Sequence, residues 1–303
     1  MFSAQLACLL LASVHLVAAN GIDNRITELV NSYSPLLQYP TNFTQGIVPK
    51  AIHSHNDYWR QVPLLTAISL GVVSVEADVW LVDGELLVGH EPAALSPVRT
   101  FDALYVQPLL EMIAGQNPKS PFTVNQTAPN GVWDTSSDTP VQLLVDMKTD
   151  GAETLPFVVK ALERLRSAGY LSTVHDTTFT PAPVLVIGTG NTPLAGVVAL
   201  EPRDVFLDGP LAALNDSHTP TVSPLASTDW ETFVGWDGIG EMGDEQRANM
   251  TSFINDAHAR GIKARFYETP GWPISARNAV WKELLNAGTD FLNADDLEAA
   301  SNF

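Results

Sequence analysis

"VQLLVDMKTDGAETLPFVVKALERLRSAG", residues 141–169, begins with an apolar run that ends at Asp146 and Lys148 and continues as a helical pattern that closes on a glycine. A short apolar run is typical of a strand buried on both faces, and a glycine directly after the last helical residue is typical of a C-cap. The stretch therefore predicts one β–α unit of a parallel sheet.

The same alternation continues in both directions along the chain. Strand-like runs cover residues 48–55, 71–81, 141–148, 183–188, 204–209, 263–268 and 290–295. Helical patterns cover residues 63–71, 100–115, 154–169, 244–261 and 275–288. This many strands in one domain of roughly 280 residues predict an α/β fold, a single-domain (β/α)8 TIM barrel, over an open doubly wound sheet. No G-x-G-x-x-G follows the first strand, and the Pro- and Ser-rich segments 116–140 and 215–228 are predicted to be surface loops.

The N-terminal residues predict export of the protein. Residues 1–19 carry no charged side chain and end in Val-Ala-Ala, which is typical of a cleaved signal peptide, so that residues 20–303 form the barrel domain. The alternative is a buried N-terminal helix. Four Asn-x-Ser/Thr sequons predict a glycosylated, extracellular protein: Asn42, Asn125, Asn215 and Asn249. The single cysteine, Cys8, lies in the predicted signal, so the mature chain relies on its hydrophobic core for stability and not on disulfides.

Composition limits the classes of partner. The formal net charge is −18, which repels nucleic acid and anionic membrane surfaces and attracts divalent cations, although solubility alone also explains it. No apolar segment after residue 19 is long enough to predict a transmembrane span. We therefore expect a small-molecule or lipid substrate and no nucleic-acid partner.

Acidic residues recur where barrel strands end, which is the position of catalytic side chains in this fold. Glu76 and Asp78 are two residues apart and so share one face of their strand, and Asp146 and Lys148 repeat this spacing. Burying three carboxylates together is costly without a cation, and oxygen ligands suit Mg²⁺ or Ca²⁺. The alternative is that each acid caps a helix or pairs with a basic side chain.

Three histidines accompany these acids. His55 closes the first strand together with Asn56, and His53 shares its face, either to orient the site or as a core residue. An undistorted hairpin at residues 83–84 would direct His90 to the opposite face from the acids, so the ladder must bulge or end early for its ring to reach them.

Two imidazoles beside a hard cation suit phosphodiester chemistry. The cation neutralises phosphoryl charge, one imidazole removes a proton from the nucleophile and the other protonates the leaving oxygen. Either water or a neighbouring substrate hydroxyl is the nucleophile, and the second route gives a cyclic phosphate. A Gly-x-Ser-x-Gly elbow and a mature cysteine are both missing, which argues against serine and thiol mechanisms.

The motifs "HSHNDYWR", "SVEADVWL" and "LLVGHE", with "RFYETPGWP" and "DFLNADDL" near the end, resemble those of the PLC-like phosphodiesterase superfamily of TIM barrels. That superfamily includes glycerophosphodiester phosphodiesterases and sphingomyelinase D-type phospholipases. More closely, the chain resembles the fungal altered inheritance of mitochondria protein 6 family, from about residue 48 to residue 300. It lacks the H-R-G opening of the glycerophosphodiesterases, because Asn56 and Asp57 replace the last two residues of that motif.

The resemblance implies a role for each matching residue. The implied catalytic residues are His55 and His90. The implied ligands of Mg²⁺ or Ca²⁺ are Glu76, Asp78 and Asp146, with Asn56 as a further metal contact. Lys148 matches a phosphate-binding lysine of the sphingomyelinase D pattern.

Two residues near the strand at 263–268 complete the predicted site. Arg265 is predicted to serve the phosphate and Trp272 to line the substrate pocket, with an ion pair and a packing role as the respective alternatives. The resulting hypothesis is a secreted, divalent-metal-dependent phosphodiesterase that acts on a phospholipid, lysophospholipid or glycerophosphodiester. The alternatives are a non-catalytic metal- or ligand-binding barrel and a glycosidase with two carboxylates.

Overall fold

The computed structural model describes residues 21–303 apart from residues 38 and 40. These described residues fall into two compact units, which divide between Asn42 and Phe43. In the first unit, residues 21–31 are helical and are labelled α1. Within this helix, Arg25 and Glu28 form an ion pair at 2.8 Å. The predicted signal, including Cys8, lies outside the described residues. Within the described part of the chain, every helix is too short or too polar to cross a membrane.

The second unit contains the strands and the remaining α-helices. Its strands are β1 Lys50–Ser54, β2 Val72–Val82, β3 Glu85–Val88, β4 Val141–Met147, β5 Thr173–His175, β6 Thr178–Thr180, β7 Val184–Gly190, β8 Val205–Pro210, β9 Leu225–Asp229, β10 Lys263–Tyr267 and β11 Leu292–Ala294. Its α-helices are α2 Leu65–Ser69, α3 Gln107–Gln116, α4 Gly151–Ala161, α5 Glu163–Ser167, α6 Leu194–Val198, α7 Trp230–Phe233, α8 Asp244–Ala259, α9 Ile274–Ala287 and α10 Leu297–Ser301. A π-helical turn, Asp102–Val106, leads into α3.

Eight parallel strands form the wall of a nearly closed barrel, in the order β10-β9-β8-β7-β4-β2-β1-β11. A parallel bridge between Arg265 of β10 and Phe291, which precedes β11, connects the two ends of this order. Strand β3 pairs antiparallel with β2, and β5 with β6 forms a separate small sheet. The predicted (β/α)8 architecture is confirmed.

One barrel strand was not predicted. Strand β9 occupies residues 225–229, which overlaps the segment 215–228 predicted to be a loop, so that prediction is wrong there. Its sequence, LASTD, has a single large apolar residue, and its identity as a strand comes from parallel pairing with β8 and β10 on its two sides. The other predicted loop contains no helix or strand over residues 117–140, although Val132 and Trp133 are buried in it.

Strand β2 shows how the barrel combines a core with a polar interior. Residues 72–79 are all buried, as expected of a parallel strand covered on both faces. Val75 and Ala77 are part of the main hydrophobic core, whereas Glu76 and Asp78 alternate with them and therefore project from the other face. This alternation places carboxylates inside the barrel.

The asparagines of the four sequons are all exposed, which glycosylation requires: Asn42, Asn125, Asn215 and Asn249. Glycosylation itself stays a prediction.

Candidate functional site

A cleft of about 510 Å³ opens at the C-terminal ends of the barrel strands, where TIM-barrel active sites lie. Most of the predicted site residues line it: His55, Asn56, Glu76, His90, Asp146, Lys148 and Arg265. Asp78 lies below them and is fully buried. The parallel ladder thus brings together side chains that are far apart in the sequence.

The three predicted acidic ligands form one cluster. Strands β2 and β4 pair with Asp78 opposite Asp146, and each of these residues and Glu76 offers a carboxylate oxygen within 4.8 Å of the others. Asp78 Oδ1 is buried and accepts no hydrogen bond from the described residues. A cluster of carboxylate oxygens with one unpartnered member is a donor set that suits Mg²⁺ or Ca²⁺.

Lys148 contacts the same cluster. Its Nζ lies 2.6 Å from Asp146 Oδ2 and 3.0 Å from Asp78 Oδ2. Both acids therefore pair with a basic side chain, which was the alternative to metal binding in the sequence analysis. Burial lowers the pKa of Lys148, but the charges and hydrogen bonds of the two carboxylates outweigh it and the pKa is raised. Burial, followed by the charges of Glu76 and Asp146, raises the pKa of Asp78 to about 6. One ammonium therefore only partly compensates three carboxylates.

Gly190 makes room for the carboxylate of Asp146 on β4. Gly190, at the end of β7, has a φ of +63°, and a Cβ built on it would lie 2.0 Å from Asp146 Oδ1. Any side chain at residue 190 would therefore displace the Asp146 carboxylate and strain the backbone.

His55, the first predicted catalytic histidine, is held by the carboxylate of Asp295, which lies outside the acid cluster. His55 Nδ1 lies 3.0 Å from Asp295 Oδ1, and its Nε2 lies 4.0 Å from Glu76 Oε2. Arg60 donates to the backbone oxygen of His55 at 2.8 Å. Burial lowers the pKa of His55, but the hydrogen bond to Asp295 and the charges of Glu76 and Asp295 outweigh it and raise the pKa. Asp295 was not predicted as a site residue, because its proximity to His55 depends on the pairing of β11 with β1.

Asn56 links β1 to the acid cluster. It adopts the left-handed conformation with a φ of 50°, which asparagine tolerates better than most residues. Its backbone N–H donates to Glu76 Oε2 at 3.0 Å, and its side-chain oxygen contacts the Tyr58 hydroxyl. That hydroxyl donates to Asp78 Oδ2 at 2.7 Å. Asn56 and Tyr58 therefore orient two of the carboxylates, and Tyr58 was missed from the sequence.

The β2–β3 hairpin has the predicted register, with Val82 opposite Glu85, but its ladder ends at Val88. This early departure from the ladder turns His90 inward, so that its Nδ1 lies 3.4 Å from Asp78 Oδ2 and 3.1 Å from the Tyr58 hydroxyl. The His90 ring packs near Trp59, with the ring centroids 5.3 Å apart, and half of the side chain stays exposed. Two imidazoles therefore line one cleft.

His53 supports the site from below. It is fully buried, its Nδ1 lies 2.7 Å from Ser74 Oγ, and its Nε2 lies 3.5 Å from Glu76 Oε2. Burial, followed by the positive charge of Arg265, lowers the pKa of His53 to about 4, so this imidazole is neutral at neutral pH. His53 is thus both a core residue and a neighbour of a predicted ligand.

Arg265 lies in the opposite half of the cleft, in a polar network that sequence reasoning did not find. Its Nε donates to Ser227 Oγ at 2.9 Å, and Ser227 Oγ donates to Asp208 Oδ1 at 2.9 Å. Burial raises the pKa of Asp208 to about 6, although the charge of Arg265 partly opposes this effect. The signal available was the aspartate near the end of the run at 204–209, which resembles the position of Asp146 in its own strand.

The prediction that Trp272 lines the pocket is wrong. Trp272 is 78% exposed and is not among the residues that line the cleft. Trp272 lies in the loop directly before the Pro273 cap of α9, where its ring projects to solvent. Tyr267 and Glu268, at the end of β10, line the cleft from this side instead.

Comparisons with known proteins identify the family of the chain. A model of the AIM6-like phosphodiesterase domain matches residues 41–208. The chain is 43% identical to the altered inheritance of mitochondria protein 6 homolog of Arthroderma benhamiae, over 98% of this chain and 97% of that protein. It is 34% identical to altered inheritance of mitochondria protein 6 of Eremothecium gossypii, over 83% of this chain and 69% of that protein.

Among solved structures, a glycerophosphodiester phosphodiesterase from Parabacteroides distasonis aligns with a TM-score of 0.44 and 12% identity, covering 85% of this chain and 98% of that one. The assignment of the chain follows from the domain model and the sequence relatives. The chain belongs to the altered inheritance of mitochondria protein 6 family and contains an AIM6-like phosphodiesterase domain.

Proposed function

We propose that this protein is a secreted, divalent-metal-dependent phosphodiesterase that uses two histidines for acid–base catalysis. The observation that carries the proposal is that His55 and His90 line the same cleft as Glu76 and Asp146, whose carboxylates form a cluster with that of the buried Asp78. The proposed substrates are a phospholipid, a lysophospholipid or a glycerophosphodiester. The predicted signal peptide and the exposed sequons support secretion.

His55 is the proposed general base. The carboxylate of Asp295 accepts a hydrogen bond at Nδ1, which keeps the proton on that nitrogen and leaves Nε2 free to accept a proton from the nucleophile. His90 is half exposed and lies beside the Tyr58 hydroxyl, where it donates a proton to the leaving oxygen.

The other residues of the cleft manage charge. Glu76, Asp78 and Asp146 hold the proposed Mg²⁺ or Ca²⁺, which neutralises charge on the phosphoryl oxygens when bound. Lys148 contributes a cationic donor to the phosphate from the same side of the cleft. Either water or a substrate hydroxyl supplies the attacking oxygen.

The proposal is tested by incubating the secreted protein with choline- and inositol-containing phospholipids, lysophospholipids and glycerophosphodiesters, with Mg²⁺, with Ca²⁺ or with EDTA. Phosphorus NMR identifies the products and separates a phosphomonoester from a cyclic phosphate. We expect turnover that EDTA abolishes and added metal restores. Metal binding without turnover of any compound would instead support a non-catalytic barrel, and EDTA-resistant cleavage of glycosides would support a glycosidase.

Gly190 provides a separate check on the metal site. We expect Gly190→Ala to lower the affinity for Mg²⁺ or Ca²⁺ by about 10–100-fold, the range seen when residues that support metal ligands are lost. The reason is the clash of the new Cβ with Asp146 Oδ1. Isothermal titration calorimetry measures the affinity, and Gly115→Ala is the control because a Cβ there meets no atom within 4 Å. Unchanged affinity in a folded Gly190→Ala variant would remove Asp146 from the ligand set.

A further inference from the structure

Asp57 is a buried carboxylate that the proposed chemistry does not use. It lies in the turn that follows β1, between Asn56 and Tyr58, and it is fully buried. Its hydrogen-bond donors in the described part of the chain are all neutral: the Ser54 hydroxyl, the backbone N–H of Leu64 and the Tyr105 hydroxyl. Because burying a carboxylate that forms no ion pair is costly, the presence of Asp57 here needs an explanation.

Two of these donors lie in unusual backbone. Leu64 has a φ of 62° and a ψ of −57°, and a 2.7 Å hydrogen bond joins the residues on either side of it, so it is the centre of the rare, strained form of γ-turn. Its N–H donates to Asp57 Oδ2 at 2.6 Å. Tyr105 lies in the π-helical turn before α3, and its hydroxyl is 3.1 Å from both Asp57 Oδ2 and the backbone oxygen of Glu76. Strained backbone and π-helical turns are frequent at functional sites.

The neighbours of Asp57 in the turn contact the acid cluster. The backbone N–H of Asn56 donates to Glu76 Oε2 at 3.0 Å, and the Tyr58 hydroxyl donates to Asp78 Oδ2 at 2.7 Å. Both accepting carboxylates belong to the proposed metal site. The position of the turn therefore determines whether these two hydrogen bonds form.

We infer that Asp57 is a positioning residue of the metal site. Its carboxylate fixes the turn that carries Asn56 and Tyr58, and these two residues in turn hold the carboxylates of Glu76 and Asp78 in place. The inference rests on the proposed function, because a metal site must exist for its ligands to need positioning. Asp57 acts as an acceptor of hydrogen bonds, so its shape and polarity matter more than its charge.

Two substitutions of Asp57 test this role, with the affinity for Mg²⁺ measured by calorimetry on folded protein. We expect Asp57→Ala to lower the affinity by about 10–100-fold, the range seen when residues that support metal ligands are lost. Asp57→Asn should retain most of the affinity. Its amide oxygen can accept from Leu64 and Tyr105, while its amide nitrogen donates to the Ser54 hydroxyl, which accepts as well as donates.

Matched controls separate positioning from stability. Asp204 is as buried as Asp57 but pairs with Arg166 away from the cleft, so Asp204→Ala should lower stability and leave the Mg²⁺ affinity unchanged. Tyr105→Phe keeps the ring and removes one donor, and it remains informative if Asp57→Ala does not fold. We expect it to weaken Mg²⁺ binding by about 2–10-fold, the effect of one hydrogen bond, whereas Tyr170→Phe, outside the cleft, should have no effect.

Wild-type Mg²⁺ affinity in folded Asp57→Ala, or in Tyr105→Phe, would overturn the inference. An equal loss of affinity in Asp57→Asn and Asp57→Ala would also overturn it, because the charge and not the hydrogen bonds would then matter. Failure of the proposed function is a different result, namely a wild-type protein that binds neither Mg²⁺ nor Ca²⁺. That result would remove the metal site itself and with it both proposals.

Discussion

Replacement of His55 by alanine is expected to lower kcat by about 10²–10⁴-fold, the usual contribution of a general acid or base. His55 lines the cleft and its Nδ1 lies 3.0 Å from Asp295 Oδ1, so the variant loses the proposed general base. KM should change much less than kcat, because this role is confined to the transition state. The measurement is a steady-state assay on the substrate found by phosphorus NMR, with saturating metal.

Two further variants make this result interpretable. His175→Ala is the matched control, since His175 is exposed, pairs with Glu201 and does not line the cleft. Asp295→Asn should give a smaller loss of kcat than His55→Ala, because it retains the imidazole but weakens the group that orients it. Wild-type kcat in a folded His55→Ala protein would reject the proposed mechanism.

Much of the barrel and of the site was accessible from the sequence because parallel strands impose a simple rule. Each apolar run that ends in a polar residue predicts a strand whose C-terminal end lies at the active-site edge. Glu76, Asp78 and Asp146 follow this rule, and the structure places their carboxylates together. The two-residue spacing on each strand was sufficient to predict a shared face.

The residues that were missed depend on information that the local pattern does not contain. Asp295 meets His55 only because the last strand, β11, pairs with the first, β1, and Asp208 meets Arg265 only through the unpredicted strand β9. Trp272 shows the opposite failure. A position shortly after a strand does not determine where a loop directs a side chain, and this tryptophan points to solvent.

The orientation of His90 depends on the point at which the hairpin ladder ends. Because the turn fixes the hairpin register, an inward imidazole was predicted to require either a bulge or an early end of the ladder. The ladder does end at Val88, and the N–H of Gly89 still donates to the backbone oxygen of Asp78 at 3.2 Å. That last hydrogen bond places His90 beside Asp78, at the level of the acid cluster.

Asp78→Asn is expected to lower the affinity for Mg²⁺ or Ca²⁺ by more than the roughly 100-fold that loss of a supporting residue costs, because a charged oxygen donor is removed from the cluster. Metal-dependent turnover should fall with it. The isosteric amide retains an oxygen that accepts from the Tyr58 hydroxyl, so the local packing is preserved. Calorimetry and the metal-dependence of kcat measure the two losses.

The same variant should make the metal-free protein more stable, which a purely structural ion pair would not do. The pKa of Asp78 is raised by burial to about 6 in the folded state, above its ordinary value of 3.8, so the protein loses stability as the pH rises from 3.8 to about 6 and carries the full loss above that. In EDTA at pH 8 we expect Asp78→Asn to raise the free energy of unfolding by on the order of 1–3 kcal/mol, and this gain should disappear as the pH falls below 3.8. Urea unfolding at several pH values measures it, with Asp83→Asn on the exposed hairpin turn as the control. A loss of stability at pH 8 together with unchanged metal affinity would show that Asp78 serves the Lys148 ion pair and not a cation.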